Sequence, residues 1–118
     1  MPSHKRGSPE GMEDNLKRAT IEMLVLTLLA REDMYAPQVT QSLKTCSGGA
    51  LDIVFPYAAL YRLIDDGFVT EAYKKIAPDG RRRQYYQITE AGRVYLHSIT
   101  AVYRRFTTGV LTLLDDPQ

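Results

Sequence analysis

The apolar positions along this chain change their period repeatedly, and each change marks an element. Leu16, Ala19, Ile21, Met23, Leu24, Val25, Leu26, Leu28, Leu29 and Ala30 follow one another almost without a break. On a helix they cover nearly the whole circumference, which requires burial on more than one side. Asp14 or Asn15 offers an N-cap, and the helix reaches about Glu32. A short chain has little with which to cover a second side, so another subunit is expected there, against Leu24 and Leu28.

Asp33 to Ala36 interrupts this pattern, and Pro37 suits the first turn of a second helix, where its missing N–H costs little. Val39, Leu43 and Cys46 fall at i, i+4 and i+7 as its inward face, and Ser47-Gly48-Gly49 ends it. Leu51 to Phe55 reads two ways. Either Asp52 caps a third helix with Pro56 in its first turn, or the stretch is extended and Pro56 is the first helical residue. The third helix continues to Asp66 and stops at Gly67. Pro56, Leu60, Leu63 and Ile64 form its apolar stripe, while Tyr57, Ala58, Tyr61, Arg62 and Asp65 occupy the other side.

The period then shortens to two. Phe68 to Ile76 alternates through Phe68, Thr70, Ala72 and Lys74 and reads as a strand. Pro78-Asp79-Gly80 is a turn, because Pro presets φ and Gly accepts a positive one. Arg81 to Ile88 is the return strand. Thr89 caps a last helix that runs to about Leu114, with Glu90 in its first turn. Tyr95, Leu96, Ile99, Val102, Tyr103, Phe106, Val110 and Leu113 recur along it as a seam near the 3.5-residue period. A three-helix unit cannot bury a seam of that length, so the helix is expected to pack on the first helix and also to pair with a second copy. The expected class is mainly α with a β-hairpin (α+β). The order helix, helix, helix, hairpin, long helix is that of a winged helix-turn-helix.

With 118 residues, a single polypeptide unit divides into a flexible arm (1–13), a winged helix-turn-helix (14–89) and a C-terminal dimerisation helix (90–118). The net charge of +1 announces no polyanion partner, so position decides. Lys74, Lys75, Arg81, Arg82 and Arg83 face a single acid, Asp79, within ten residues around the hairpin tip. That is more positive charge than an aggregation-resistant edge needs, and it suits phosphate. On the third helix, tyrosine hydroxyls can bond phosphate, Ala58 permits close approach, and Arg62 can read phosphate or a guanine edge.

The rest of the chemistry is sparse. Cys46 is the sole cysteine, which excludes an intrachain disulfide and fits a reducing, cytoplasmic setting. The apolar run from Met23 to Ala30 is too short to span a bilayer, so no membrane partner is expected. His4 and His97 lack an acid at a telling spacing, Asp65-Asp66 and Asp115-Asp116 lack a His or Cys beside them, and Gly48-Gly49 is a helix stop. No enzyme activity, metal or cofactor is expected.

The segments LKRATIEMLVLTLL (16–29), Met34-Tyr35, ALYRLIDDGFV (59–69) and above all GRRRQYYQITEAGRVYL (80–96) resemble the PadR family of bacterial transcriptional regulators, in its short subgroup with one C-terminal helix. The resemblance implies a homodimeric repressor on double-stranded DNA whose operator has two-fold symmetry. It implies DNA contacts at Tyr35, Gln38, Gln41, Lys44, Tyr57, Ala58, Tyr61, Arg62, Lys74, Lys75, Arg81, Arg82 and Arg83. It implies a dimer through Leu24, Leu28, Leu96, Ile99, Val102, Tyr103, Phe106, Val110 and Leu113. It also implies release by a small aromatic effector between the first and last helices, at Leu16, Met23, Ile99 and Tyr103. Two departures stand out: Val54-Phe55-Pro56 replaces the family's Gly-Thr before Tyr57, and Ala36-Pro37 replaces its Gly after Tyr35. The first supports an alternative, a winged helix turned protein-interaction or adaptor module.

Overall fold

The computed structural model describes residues 6–53 and 57–117. Its elements are α1 (Pro9–Arg31), β1 (Met34–Tyr35), α2 (Ala36–Cys46), α3 (Tyr57–Asp65), β2 (Val69–Ile76), β3 (Arg82–Ile88) and α4 (Glu90–Leu114). The expected order of helices and hairpin holds. Two features differ from that expectation.

First, α1 begins at Pro9 rather than near Asp14. The Ser8 hydroxyl oxygen accepts a bond from the Gly11 amide at 3.0 Å, Pro9 fills the position where no N–H is needed, and Glu10 faces the positive end of the helix dipole. Residues 9–13 are therefore helical rather than part of an arm. Second, β1 lies where only a break was expected. It pairs antiparallel with β3, Met34 opposite Tyr86 and Tyr35 opposite Tyr85, and makes a three-stranded sheet of order β1-β3-β2. Two residues are too few to show a period.

The core surrounds α1. Val25, Leu26 and Leu29 meet Val39 and Leu43 of α2, Ala59, Leu60 and Leu63 of α3, Val69 of β2, and Tyr86 and Ile88 of β3. α4 covers a further side of α1. The apolar character of α1 is thus satisfied within one chain from Ile21 to Leu29, while Leu16 stays exposed. This corrects the expected subunit contact at Leu28, which is only 4% exposed, and leaves Leu24 half-buried against the same core. Cys46 is also corrected. The apolar period of α2 continues to it, but it is the last helical residue and is exposed.

β2 joins the core only at its base. Val69 pairs with Ile88 in the core, and a bulge between Glu71 and Tyr73 then shifts the register. Beyond it β2 is exposed, so burial follows Val69 and not the alternation through Phe68 and Thr70.

Two tight connections fix the directions of α3 and α4. Gly67, at φ 80°, closes α3: its amide donates to Ile64 O at 3.0 Å and the Phe68 amide to Leu63 O at 2.9 Å. Thr89 then ties the end of the hairpin to this corner. Its amide donates to Phe68 O at 3.0 Å, its hydroxyl donates to Gly67 O at 2.7 Å, and the same oxygen accepts the Gly92 amide at 3.0 Å. The Phe68 and Tyr95 rings stack 4.3 Å apart across the joint. The start of α4 is therefore held on the end of α3. The remainder of α4 projects, and the molecule measures 56 × 32 × 25 Å.

Candidate nucleic-acid interface

α3 presents the face that its sequence suggested. Leu60 and Leu63 are fully buried, which turns Tyr57, Ala58, Tyr61 and Arg62 outward; Tyr57 is 39% and Tyr61 55% exposed. Neither tyrosine folds back onto the core. The Arg62 Nε donates to Glu22 Oε2 of α1 at 3.3 Å, so this arginine is tethered rather than loose. Val54, Phe55 and Pro56, the departure at the entry to α3, lie outside the described residues.

The hairpin sorts its cations onto two faces. Lys75 lies opposite Arg83, and Ile76 opposite Arg82. Lys75 and Arg83 share a face with Tyr73 and Tyr85, because residues two apart on a strand point the same way. There the Lys75 ammonium lies 4.6 Å from the Tyr85 ring centre and the Arg83 guanidinium 5.4 Å from that of Tyr35. Asp79 also claims Arg83. Its Oδ2 accepts Arg83 Nη2 at 2.7 Å and Nε at 3.1 Å, while Oδ1 accepts the Arg81 amide at 3.0 Å.

These bonds to Arg83 and Arg81 hold the Asp79 carboxyl below the usual carboxylate range. A depressed folded-state value means that the tie is present at neutral pH and is lost only as pH falls through that lowered value. The three arginines of the tip are therefore not equivalent. Arg83 braces the turn. Lys74, Arg81 and Arg82 are exposed and their side chains form no salt bridge among the described residues, which leaves them able to meet phosphate.

The flank made by α2 is less available than expected. Gln41 and Lys44 are exposed. Gln38 is occupied at the start of α2, its Oε1 accepting the Tyr35 amide at 3.4 Å and its Nε2 donating to Glu32 at 2.9 Å. Tyr35 is half-buried, its ring edge-on to Tyr85 at 5.5 Å. Sequence reasoning missed this aromatic cluster. It also missed Asp33, whose Oδ2 accepts the Tyr73 hydroxyl at 2.7 Å and raises that phenol's pKa. Alternating tyrosines (73, 85) on paired strands, with Tyr35 in β1, were the signal. Tyr86 points into the core side, and burial raises its pKa as well.

A second feature lies between α1 and α4: a groove of about 300 Å³ lined by Met23, Glu22, Tyr95, Ile99, Val102, Tyr103 and Phe106, with Ala19 and Thr20. It unites Met23, Ile99 and Tyr103 of the expected effector site. Leu16 is not among its lining residues and is 53% exposed. His97 is exposed, and no cluster of three metal-binding side chains occurs among the described residues. No helix among them is long and apolar enough to cross a membrane.

A three-helix core, an exposed third helix and a basic hairpin together define a winged-helix DNA-binding protein. The sequence pattern of the transcriptional regulator PadR-like family matches residues 25–98, well over half of the chain. The chain belongs to that family, whose members are regulators and not enzymes. It is 29% identical to a PadR family transcriptional regulator from Eggerthella lenta DSM 2243, with a TM-score of 0.70 over 90% of this chain and 88% of that one. A PadR-like transcriptional regulator from Bacillus cereus ATCC 14579 shares the fold, with 22% identity and a TM-score of 0.73 over 86% and 97% of the two chains. An uncharacterised protein of Lysinibacillus sphaericus is 28% identical over 90 residues, 75% of this chain and 82% of the relative.

Proposed function

We infer that this DNA-binding regulator is a homodimeric repressor that works in the cytoplasm and is released by a small aromatic effector. One observation carries the dimer. α4 has 25 residues, of which only Gly92 is buried, and it exposes Val102 (52%), Tyr103 (43%), Phe106 (70%), Val110 (39%) and Leu113 (75%) along one seam. A projecting helix with an unbroken apolar seam is stable in water when a second copy covers it. Leu96 and Ile99 continue that seam into the chain's own core. The groove between α1 and α4 supports the effector, because three rings and three aliphatic side chains line a cleft of the size that a small aromatic molecule fills. α3 reads the major groove through Tyr57, Ala58, Tyr61 and Arg62, and the hairpin grips the backbone. Tyr35, Gln41 and Lys44 contribute at its margin, and Gln38 acts mainly by holding the start of α2.

Selection of bound fragments from the source genome, followed by footprinting, tests this directly. Paired half-sites about one helical turn apart, or a multiple of it, are expected for a two-fold dimer. A single unpaired half-site would overturn the dimer.

The sorting of the hairpin cations makes a sharper test. Replacing Lys74, Arg81 and Arg82 together by Ala should flatten the dependence of log K on log salt, by about 0.9 for each phosphate that is no longer neutralised. Arg83→Ala alone should change that slope little, because Asp79 already holds Arg83. Titrations of one duplex across a salt series check both. Equal slopes for the triple variant and the wild type would remove the hairpin from the DNA interface.

A further inference from the structure

Asp79 is the single acid between residues 74 and 83, set among five cations at the tip of the hairpin. Like charge makes it unfavourable beside phosphate, and the turn does not require it. Pro78 and Gly80, the latter at φ 85°, set the backbone; the Gly80 amide donates to Ala77 O at 2.9 Å and the Ala77 amide to Arg81 O at 2.8 Å. None of these supports uses the Asp79 carboxylate. Its Oδ1 does accept the Arg81 amide at 3.0 Å, but a neutral amide oxygen would accept that bond as well. What the negative charge alone supplies is the fork to Arg83, in which Oδ2 accepts Nη2 at 2.7 Å and Nε at 3.1 Å.

We propose that Asp79 withholds Arg83 from the DNA backbone and so limits the charge with which the hairpin grips DNA of any sequence. The proposal rests on the phosphate reading of the hairpin given above and names the residue that sets its strength. Paired at 2.7 Å, the two side chains present no net charge to a phosphate farther off than their own separation. A phosphate that drew Arg83 away would leave Asp79 unpaired beside it, and the Arg81 amide keeps Asp79 in place. The Tyr35 ring, 5.4 Å from the guanidinium, favours the same position. Arg83 thus stays with its own chain while Lys74, Arg81 and Arg82 meet DNA.

Two effects of removing the acid's charge oppose each other, and magnitude decides between them. Arg83 loses a tether and must be ordered again on DNA, which weakens binding. Against that, one more phosphate neutralised steepens log K against log salt by about 0.9, a gain of about fivefold at roughly 0.15 M salt. The backbone supports of the tip persist, so the electrostatic gain prevails. Sequence-independent binding consists almost wholly of this phosphate contribution, which carries no base information. Asp79 therefore holds down binding to DNA of unselected sequence.

The test uses the full chain and a mixed-sequence duplex, titrated across a potassium chloride series, with thermal melts as the check on folding. Asp79→Asn keeps an oxygen for the Arg81 amide and removes the charge. It should steepen the salt slope by about 0.9 and tighten binding about fivefold at roughly 0.15 M salt. Adding Arg83→Ala to Asp79→Asn should return both quantities to their wild-type values, because a neutral pair has then been replaced by neutral residues. If Asp79 served only to order the tip, Asp79→Asn would lower affinity and leave the slope unchanged.

An unchanged or shallower slope in Asp79→Asn would overturn the proposal. A steeper slope that persists in the double variant would do so too, since the released charge would then not be that of Arg83. The variant with Lys74, Arg81 and Arg82 replaced separates this inference from the hairpin reading. If that variant flattens the slope while Asp79→Asn does not steepen it, the hairpin still grips phosphate and Asp79 does not limit it. If that variant matches the wild type, both fall.

Discussion

Phe106→Glu should convert the proposed dimer into a folded monomer. Phe106 is 70% exposed on the projecting part of α4 and lies outside the buried core, so the winged helix itself should keep its thermal melt. At a two-fold interface the change is made twice. Each lost ring forfeits about 1.5–3 kcal/mol of burial, and each carboxylate that replaces it must be desolvated. A total near 4 kcal/mol, or about a thousandfold in the dimer dissociation constant, is a low expectation. Sedimentation across a range of concentrations reads it. Phe106 also lines the groove, so Leu113→Glu is the informative companion: Leu113 is 75% exposed and is not among the groove's lining residues. Loss of the dimer in both variants assigns the effect to the seam. Retention in both would remove α4 as the interface.

Gly92→Ala should destabilise the fold by about 3 kcal/mol. Helix propensity alone predicts the opposite, since Ala is favoured over Gly inside a helix by about 1 kcal/mol. Packing decides the sign. A Cβ at Gly92 would lie 2.2 Å from Phe68 O and 2.8 Å from Ile88 Cγ1. The nearest atom is backbone, and that same oxygen accepts the Thr89 amide, so no rotamer change relieves the clash. The start of α4 must move off the end of α3, breaking the Thr89 ties and the Phe68–Tyr95 stack. Urea unfolding at a single protein concentration measures the loss, because a dimer's stability depends on concentration. DNA affinity should fall as well, since in the proposed dimer the angle between α4 and α3 sets the separation of the two α3 helices. An alanine variant as stable as the wild type would disprove the close approach.

The elements were legible wherever one local rule dominated. Pro78-Asp79-Gly80 specified the hairpin tip, Thr89 and Glu90 the start of α4, and Gly67 the end of α3, because each follows from a single residue's backbone preference or cap. Ser8-Pro9-Glu10 was an equally local start signal for α1. It was obscured by the polar, Gly- and Pro-rich composition around it, which resembles an arm. β1 gave no signal, since two residues have no period and their pairing with β3 spans about fifty residues of chain.

The candidate interface divides in the same way. The type and rough position of its cations, and the outward face of α3, are properties of spacing, and the chain's order alone determined them along with the family. Which cations remain free could not be read from order. Asp79 selects Arg83 over its neighbours through a hydrogen-bonded turn, and Glu22 reaches Arg62 from 40 residues away. The covering of α1 by its own chain, the exposure of Cys46 and the close approach at Gly92 were likewise decided in the tertiary structure. Each depends on what a second element places against a side chain. A helical or strand period records which residues share a face, and only packing determines what that face meets.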